Sequence, residues 1–290
     1  MKKLKYTCVL ILLVLINFTC CKDKNSDVPV FIQESFSFNS SFSIPEQEDK
    51  NIEDFPVAGI LSHHLLTAAM IDSWFRKLAE LRTVQVFFIL SPAHYDISTQ
   101  IYSLTYGKWK AENGTVDTEN KITGSLLDSL DLKPEPDVFY NEHGILSFIW
   151  FIKKYFPKAE IAVLAYRGEP PVNMKTAEKL SETLLPYFDS KNRKKNFLLI
   201  SSDFAHHNNI ENTAMKDTRT RKFFENPGTD TWIFAGCDNR PGIFVLAGLS
   251  DTLNNPEMHI MYHSNSLEIS GRGEDDITSY FFTFLTEKES

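Results

Sequence analysis

Apolar runs that end on histidine constrain the fold of this chain more than any other sequence feature. The three runs and the polar residues that end them are VAGILSHHLL (57–66) with His63 and His64, VFFILSPAHY (86–95) with His94, and NFLLISSDFAHH (196–207) with Asp203, His206 and His207. Short apolar runs of this kind are typical of buried strands. In an open α/β protein, functional groups lie outside the carboxyl ends of such strands. The pattern therefore predicts one site built from three strand ends.

The segments around these runs predict a single α/β domain over residues 53–290. Between the first two runs, residues 65–81 repeat apolar side chains at spacings of three and four, which indicates a helix. Strand, helix and strand in succession are typical of a parallel sheet. We expect a central, mostly parallel or mixed sheet flanked by helices.

Two further segments give specific expectations. Asn113-Gly114 is a turn pair and predicts a hairpin between residues 100 and 119. EHGILSFIWFIKKYF begins with Glu142 and His143, ends before Pro157, and predicts one helix.

The N-terminus predicts an export signal over residues 1–21. MKKLK supplies a positive start, and CVLILLVLI is an apolar core shorter than the roughly 20 residues that cross a bilayer. Cys20 and Cys21 follow, as in bacterial lipoprotein signals, where a cysteine carries the lipid. Simple secretion and a retained anchor are the alternatives. We expect an exported, membrane-anchored lipoprotein with a polar tether over residues 22–52.

Charge and cysteine usage exclude two classes of protein. The net charge of −8 argues against a nucleic-acid surface, which needs basic patches to neutralise phosphates. Of the four cysteines, only Cys237 lies beyond residue 21, so the body has no disulfide framework. The expected partner is therefore a small molecule or a peptide.

The residues at the strand ends are compatible with a metal site. Neutral imidazoles together with an anionic group bind divalent iron, zinc or copper. Each residue also has an ordinary structural interpretation: a histidine at a strand end bonds backbone carbonyls, Asp203 caps a loop, and Cys237 fills a small apolar space. The residue pattern alone leaves both interpretations open.

Five segments, in this order, resemble the signature segments of the Memo-like family: GILSHHLL, VFFILSPAHY, EHGILSFIWF, ISSDFAHH and AGCDNRPGIFVLAGL. Bacterial members of that family are called AmmeMemoRadiSam system protein B. The family is similar to class III extradiol dioxygenases, which use non-haem iron(II). The resemblance covers about residues 57–283 and implies the fold of those dioxygenases.

The resemblance also implies roles for particular residues. His63, His94 and Cys237 would be the metal ligands, with Cys237 in the place where the dioxygenases use glutamate. His206 would be a catalytic acid or base, and His143 would line the same cleft as a second catalytic residue.

Two departures from the family pattern bear on this assignment. Ser62 stands where the family usually has proline, and Asp238-Asn239 replaces a glycine-containing continuation after the cysteine. A thiolate ligand is softer than a carboxylate and suits copper or zinc as well as iron.

The resemblance implies a metal-dependent, dioxygenase-like redox enzyme whose substrate is an unidentified small or protein-borne aromatic. Iron(II) is the expected metal, with copper or zinc as alternatives. Two other functions remain open: a non-catalytic module that binds a metal or a peptide, and a zinc hydrolase.

Overall fold

A mixed eight-stranded sheet forms the centre of the protein and contains all three histidine-bearing strands. The computed structural model describes residues 28–36, 44–49, 51–168 and 174–288. The strands are β1 (Val30–Ile32), β2 (Phe55–Leu61), β3 (Val86–Pro92), β4 (Tyr102–Ser103), β5 (Lys108–Ala111), β6 (Gly114–Val116), β7 (Glu160–Tyr166), β8 (Asn196–Ser201), β9 (Phe204–Asn208), β10 (Pro256–Asn265) and β11 (Ile277–Glu287). The helices are α1 (Ala68–Leu81), α2 (Asn120–Leu130), α3 (His143–Leu146), α4 (Ile149–Tyr155), α5 (Met174–Leu184), α6 (Ile210–Glu225), α7 (Arg240–Ser250) and α8 (Ser266–Ser270).

The centre of the sheet is parallel and its edges are antiparallel. The strand order is β10-β11-β2-β8-β3-β7-β4, and β9 pairs with β11. The pairs β2–β8, β8–β3 and β3–β7 are parallel, whereas β11–β2, β10–β11 and β4–β7 are antiparallel. The predicted α/β domain with a mixed sheet is confirmed.

The register of the parallel strands brings the predicted site residues to one edge. Leu61 of β2 lies opposite Ser201 of β8, and Leu90 of β3 lies opposite Ile200 of β8. The three strands therefore end within a few residues of one another. The loops that carry His63, His94 and Asp203 start from the same rim.

Alternate side chains of β3 enter two different hydrophobic cores. Phe87 and Ile89 pack in the core that contains α1 and α4, whereas Phe88 and Leu90 pack in the core that contains α5, α6 and α7. A strand buried on both faces must be apolar throughout, which explains why VFFIL has no polar residue. Each buried phenylalanine contributes about 1.5–3 kcal/mol relative to an exposed one.

The predicted hairpin at Asn113-Gly114 is present, but it belongs to a second, three-stranded sheet of order β1-β5-β6. Its outer strand β1 comes from the segment predicted as a tether. Phe31 of β1 is fully buried, and its ring centroid lies 4.6 Å from that of Trp109. At least this part of residues 22–52 therefore packs on the domain.

The predicted export signal, with Cys20 and Cys21, lies outside the described residues. Within the described ranges, no helix is both long enough and apolar enough to cross a bilayer.

The segment predicted as one helix from Glu142 is divided into α3 and α4. Glu142 caps α3 by accepting a hydrogen bond from the backbone N–H of Gly144 (2.9 Å), and α3 ends after Leu146. A Cβ at Gly144 would lie 2.0 Å from Oγ of Ser91 on β3. Glycine is needed here because α3 packs directly on the end of β3.

Candidate metal centre

His63 is held in one orientation at the end of β2. Its side chain is buried, with 3% of the residue exposed, and Nδ1 lies 2.9 Å from Oγ of Ser201 on the neighbouring strand β8. This hydrogen bond leaves Nε2 directed towards the rim. Burial lowers the pKa of His63 well below its usual value, so the ring is neutral and can act as a ligand.

His94 is held by the buried carboxylate of Glu142. Nδ1 of His94 lies 2.5 Å from Oε1 of Glu142, and the backbone N–H of His94 donates to Oε2 (2.9 Å). Burial disfavours the charged ring, but the hydrogen bond that Nδ1–H donates to Glu142 and the negative charges of Glu142 and Asp238 together outweigh it and raise the pKa of His94. A carboxylate on Nδ1 is the usual partner of a metal-binding histidine, because it fixes the ring and makes Nε2 more basic.

Asp238 points one carboxylate oxygen at these histidines. Its Oδ2 lies 3.5 Å from Nε2 of His63, 4.0 Å from Nε2 of His94 and 3.3 Å from Nε2 of His206. Its Oδ1 accepts hydrogen bonds from Oγ of Ser202 (2.9 Å) and from the backbone N–H of Asp203 (3.0 Å). Burial raises the pKa of Asp238, but the close imidazoles of His206 and His63 and the hydrogen bond from Ser202 together outweigh this and lower it. One oxygen is thus anchored, and the other faces the imidazoles as an anion.

Asp203 lies deeper in the same cluster. It is 4% exposed, and its Oδ2 is 3.8 Å from Nε2 of His63. Burial and the neighbouring charge of Asp238 raise the pKa of Asp203. Two carboxyl groups therefore face one group of imidazoles.

Several polar atoms in this cluster are buried without a hydrogen-bond partner. Among the residues described, these include Nε2 of His94, Nε2 of His206, Oδ1 of Asp203 and Oδ2 of Asp238. Buried polar atoms in native proteins nearly always have a hydrogen-bond partner. Several buried polar atoms that lie close together without partners therefore require an explanation. A bound cation would satisfy the imidazole nitrogens and the carboxylate oxygens together.

His206 and His143 approach the cluster from two other elements. His206 lies on β9 between Ala205 and His207, whose φ angles are 37° and 52°. Positive φ is strained for residues other than glycine and is concentrated at functional sites. On α3, the ring of His143 is 3.9 Å from that of His94 and 5.1 Å from that of His63, centroid to centroid.

Of the histidines predicted at the strand ends, His63 and His94 face the cluster, whereas His64 and His207 have partners outside it. Potential ligand atoms of His63, His94 and His143 lie within 4.8 Å of one another. Nδ1 of His64 lies 2.7 Å from the hydroxyl of Tyr280. His207 pairs with Asp276 at 2.6 Å near the surface.

Neither the thiol of Cys237 nor the carboxylate of Asp238 belongs to the 4.8 Å group formed by His63, His94 and His143. Cys237 forms an isolated backbone bridge with Phe204, next to β9. Burial and the neighbouring Asp238 raise the pKa of the thiol to about 12. Its role as a metal ligand stays a prediction of the resemblance.

A cleft of about 420 Å³ opens over the histidines, and Leu65 and Thr278 form part of its wall. A neighbouring cavity of about 320 Å³ shares Leu65, His143 and Ser147 with it and carries Tyr95 and Tyr140. Both volumes are within the usual range for sites that bind small molecules.

Two important residues had no assigned role from sequence. Asp238 departs from the family pattern beside the cysteine, and this departure is visible in the sequence. The direction of its side chain cannot be read from the sequence. Glu142 precedes His143 in the EHG segment, and nothing local in the sequence connects it with His94.

A family model described as "Memo-like protein" matches residues 43–228. The match includes His63, His94, His143 and His206 and ends before Cys237. No curated protein matches this chain. Because the matched region covers more than half of the sequence, this chain belongs to the Memo-like family.

Proposed function

We propose that this protein is a metal-dependent oxidoreductase with a mononuclear site for a divalent ion, iron(II), held by His63, His94 and Asp238. The supporting observation is that Nε2 of His63 lies 3.5 Å and Nε2 of His94 lies 4.0 Å from Oδ2 of Asp238. Each of the three side chains is also held from behind by a hydrogen bond. Two histidines and one carboxylate with open positions are typical of non-haem iron(II) oxygenases.

The third ligand of the proposal is Asp238 and not Cys237. In support, Asp238 is an anion within 4.0 Å of both histidines. A carboxylate is a harder ligand than a thiolate and favours iron(II) over copper(I). The chain would thus resemble the dioxygenases in its ligand set more than its own family does.

The chain's residues have distinct roles in this proposal. Iron(II), when bound, supplies open coordination positions for an oxidisable aromatic group and for O₂. Ser201, Glu142 and Ser202 orient the three ligands. His206, with Nε2 3.3 Å from Asp238, is placed to hold or transfer a substrate proton. His143 lines the same cleft, where it would contact an aromatic ring that enters.

Oxygen uptake tests this function. Protein purified without oxygen and loaded with iron(II) should consume O₂ with a catechol or a tyrosyl peptide, whereas His94→Ala should neither hold iron nor consume O₂. Metal binding without uptake would instead support a binding module. Hydrolysis sustained by zinc but not by iron would support a zinc hydrolase.

We also propose that the protein is exported and lipid-anchored. The lysine-rich start, the short apolar core and the cysteines at positions 20 and 21 support this. The intact mass of the mature N-terminus tests it, because lipidation of Cys20 or Cys21 adds acyl mass and removes the preceding residues. An unmodified chain that begins at Met1 would contradict it.

A further inference from the structure

A basic cavity lies next to the histidine cluster, on the side of β9 and α6. Its volume is about 390 Å³, and its wall includes Lys216 and Arg219 of α6 and Arg240 at the start of α7. His206 and Asp238 also line it, so the cavity adjoins the proposed metal site. Three cations on one wall stand out in a chain with a net charge of −8.

These cations have no carboxylate partner within the part of the chain that the structure describes. By contrast, Arg221 of the same helix is paired and makes hydrogen bonds of 2.7 and 2.8 Å with Glu48. Arg219 donates only to the backbone carbonyl of Ile233, at 3.2 Å. The described lining of the cavity therefore carries three cations against a single carboxylate, that of Asp238.

Arg240 is the clearest member of the group. Its Nε is buried and has no hydrogen-bond partner. Its guanidinium carbon lies 5.2 Å from the centroid of the Trp232 ring, which limits the movement of the side chain. A guanidinium whose Nε–H is unsatisfied matches the planar oxygens of a carboxylate or the oxygens of a phosphate.

The rest of the wall is apolar. Ile233 and Phe234 line the cavity beside the cations, and Ile233 is 37% exposed. Apolar surface next to fixed cations fits an organic anion with a hydrocarbon or aromatic body better than a free inorganic ion. Since His206 lines both this cavity and the histidine cleft, a molecule anchored here reaches the residue next to the ligands.

We propose that this cavity binds the anionic group of an organic substrate, a carboxylate or a phosphate ester, and holds the rest of the molecule against His206 and Asp238. Arg240 and Lys216 are the anchoring residues. The substrate class rests on the proposed oxidoreductase function, but anion binding in the cavity does not require a metal ion.

Calorimetric titration of the full chain tests the proposal with matched probes. Benzoate and phenyl phosphate carry the charge, and benzamide has nearly the shape of benzoate without it. We expect one or both anions to bind roughly tenfold or more tightly than benzamide, as for a charge-assisted hydrogen bond. The stronger of the two anions identifies which oxyanion the cavity prefers.

Variants localise the binding. Arg240→Gln and Lys216→Gln should each weaken anion binding by about tenfold. Lys121→Gln should leave it unchanged, because Lys121 is exposed on α2 and does not line the cavity. Thermal unfolding confirms that each variant is folded, and Lys216, half-exposed on α6, can be replaced without opening a core.

Other results would overturn the proposal. Equal binding of benzoate and benzamide would do so, as would wild-type affinity in both Arg240→Gln and Lys216→Gln. Loss of anion binding in His94→Ala would also do so, because it would place the anion on the metal. Failure of the proposed function is separate, since it would appear as missing metal in the wild-type protein while the anion titration remained measurable.

Discussion

At the residue scale, the site depends on side chains that hold the ligands rather than on the ligands alone. Glu142 is fully buried, and its two oxygens contact Nδ1 of His94, the backbone N–H of His94 and the backbone N–H of Gly144. It therefore fixes the ring of His94 and the start of α3 together. A buried carboxylate in such a position is a positioning residue, since it acts through His94.

Glu142→Gln should reduce metal affinity by roughly 10–100-fold, the usual effect of losing a carboxylate behind a histidine ligand. The amide preserves the shape of the side chain but not its charge. Competition with a chromophoric chelator measures the affinity, and Glu112→Gln, on the exposed hairpin, is the matched control. Unchanged metal affinity in Glu142→Gln would show that Glu142 does not position His94 for metal binding.

Sequence located His63 and His94 because each follows a short apolar run of the kind that is typical of a buried strand. Asp238 could not be located in this way. Its direction depends on the bridge between Phe204 and Cys237 and on hydrogen bonds from Ser202 and the backbone of Asp203, which are contacts between distant parts of the chain.

At the element scale, Arg82 joins the end of α1 to the starts of two neighbouring parallel strands. It is 6% exposed, and its guanidinium donates to the carbonyls of Pro56 (2.7 Å), Arg193 (2.8 Å) and Asn196 (3.2 Å). It also lies 4.3 Å from the centroid of the Phe55 ring. The planar fork of arginine makes all these contacts at once.

Arg82→Lys should lower the free energy of unfolding by about 3 kcal/mol, because an ammonium group cannot reach three separate carbonyls and leaves buried acceptors unsatisfied. Urea denaturation measures the change. Arg76→Lys, at an exposed position on the same helix, should change stability little. A similar loss in both variants would contradict the structural role of Arg82.

Glu135 fastens the loop before β4 to the loop after α2. It accepts hydrogen bonds from the backbone N–H of Thr99 (3.0 Å) and from Oγ of Ser103 (2.7 Å). Partial burial raises the pKa of Glu135, but the hydrogen bonds from Thr99 and Ser103 outweigh this and lower it to about 2.

A pKa lowered on folding gives a defined pH dependence. The stabilisation from Glu135 is complete above its unfolded pKa of 4.5 and is lost as the pH falls towards 2. Glu135→Gln should therefore be less stable than wild type at pH 7, and the difference should shrink between pH 4.5 and pH 2. Urea titrations across this range measure it, and a constant difference would contradict the assignment.

The extents of the helices and strands were largely predictable from sequence, and their arrangement was not. Apolar periodicity predicted α1 and the apolar run predicted β3, whereas the strand order β11-β2-β8-β3 arises from pairings between distant segments. The division of α3 from α4 was not predicted, because the segment 142–156 contains no proline and continues to be apolar across the break.

At the scale of the whole molecule, the parallel strands bring distant segments to one rim, and charge is unevenly distributed around it. The histidine cluster has buried carboxylates at its base, and the adjoining cavity carries Lys216, Arg219 and Arg240. An acidic protein with a local basic cavity beside a proposed metal site is suited to a small anionic substrate rather than to a nucleic acid.

The ligand set is tested most directly by the metal content of two neighbouring variants, Asp238→Asn and Cys237→Ser, purified without oxygen and supplied with iron(II). We expect Asp238→Asn to lose the metal and Cys237→Ser to retain it, and cobalt(II)-loaded wild type to show no thiolate charge-transfer band. Retention of metal by Asp238→Asn together with its loss from Cys237→Ser would contradict the proposed set of His63, His94 and Asp238.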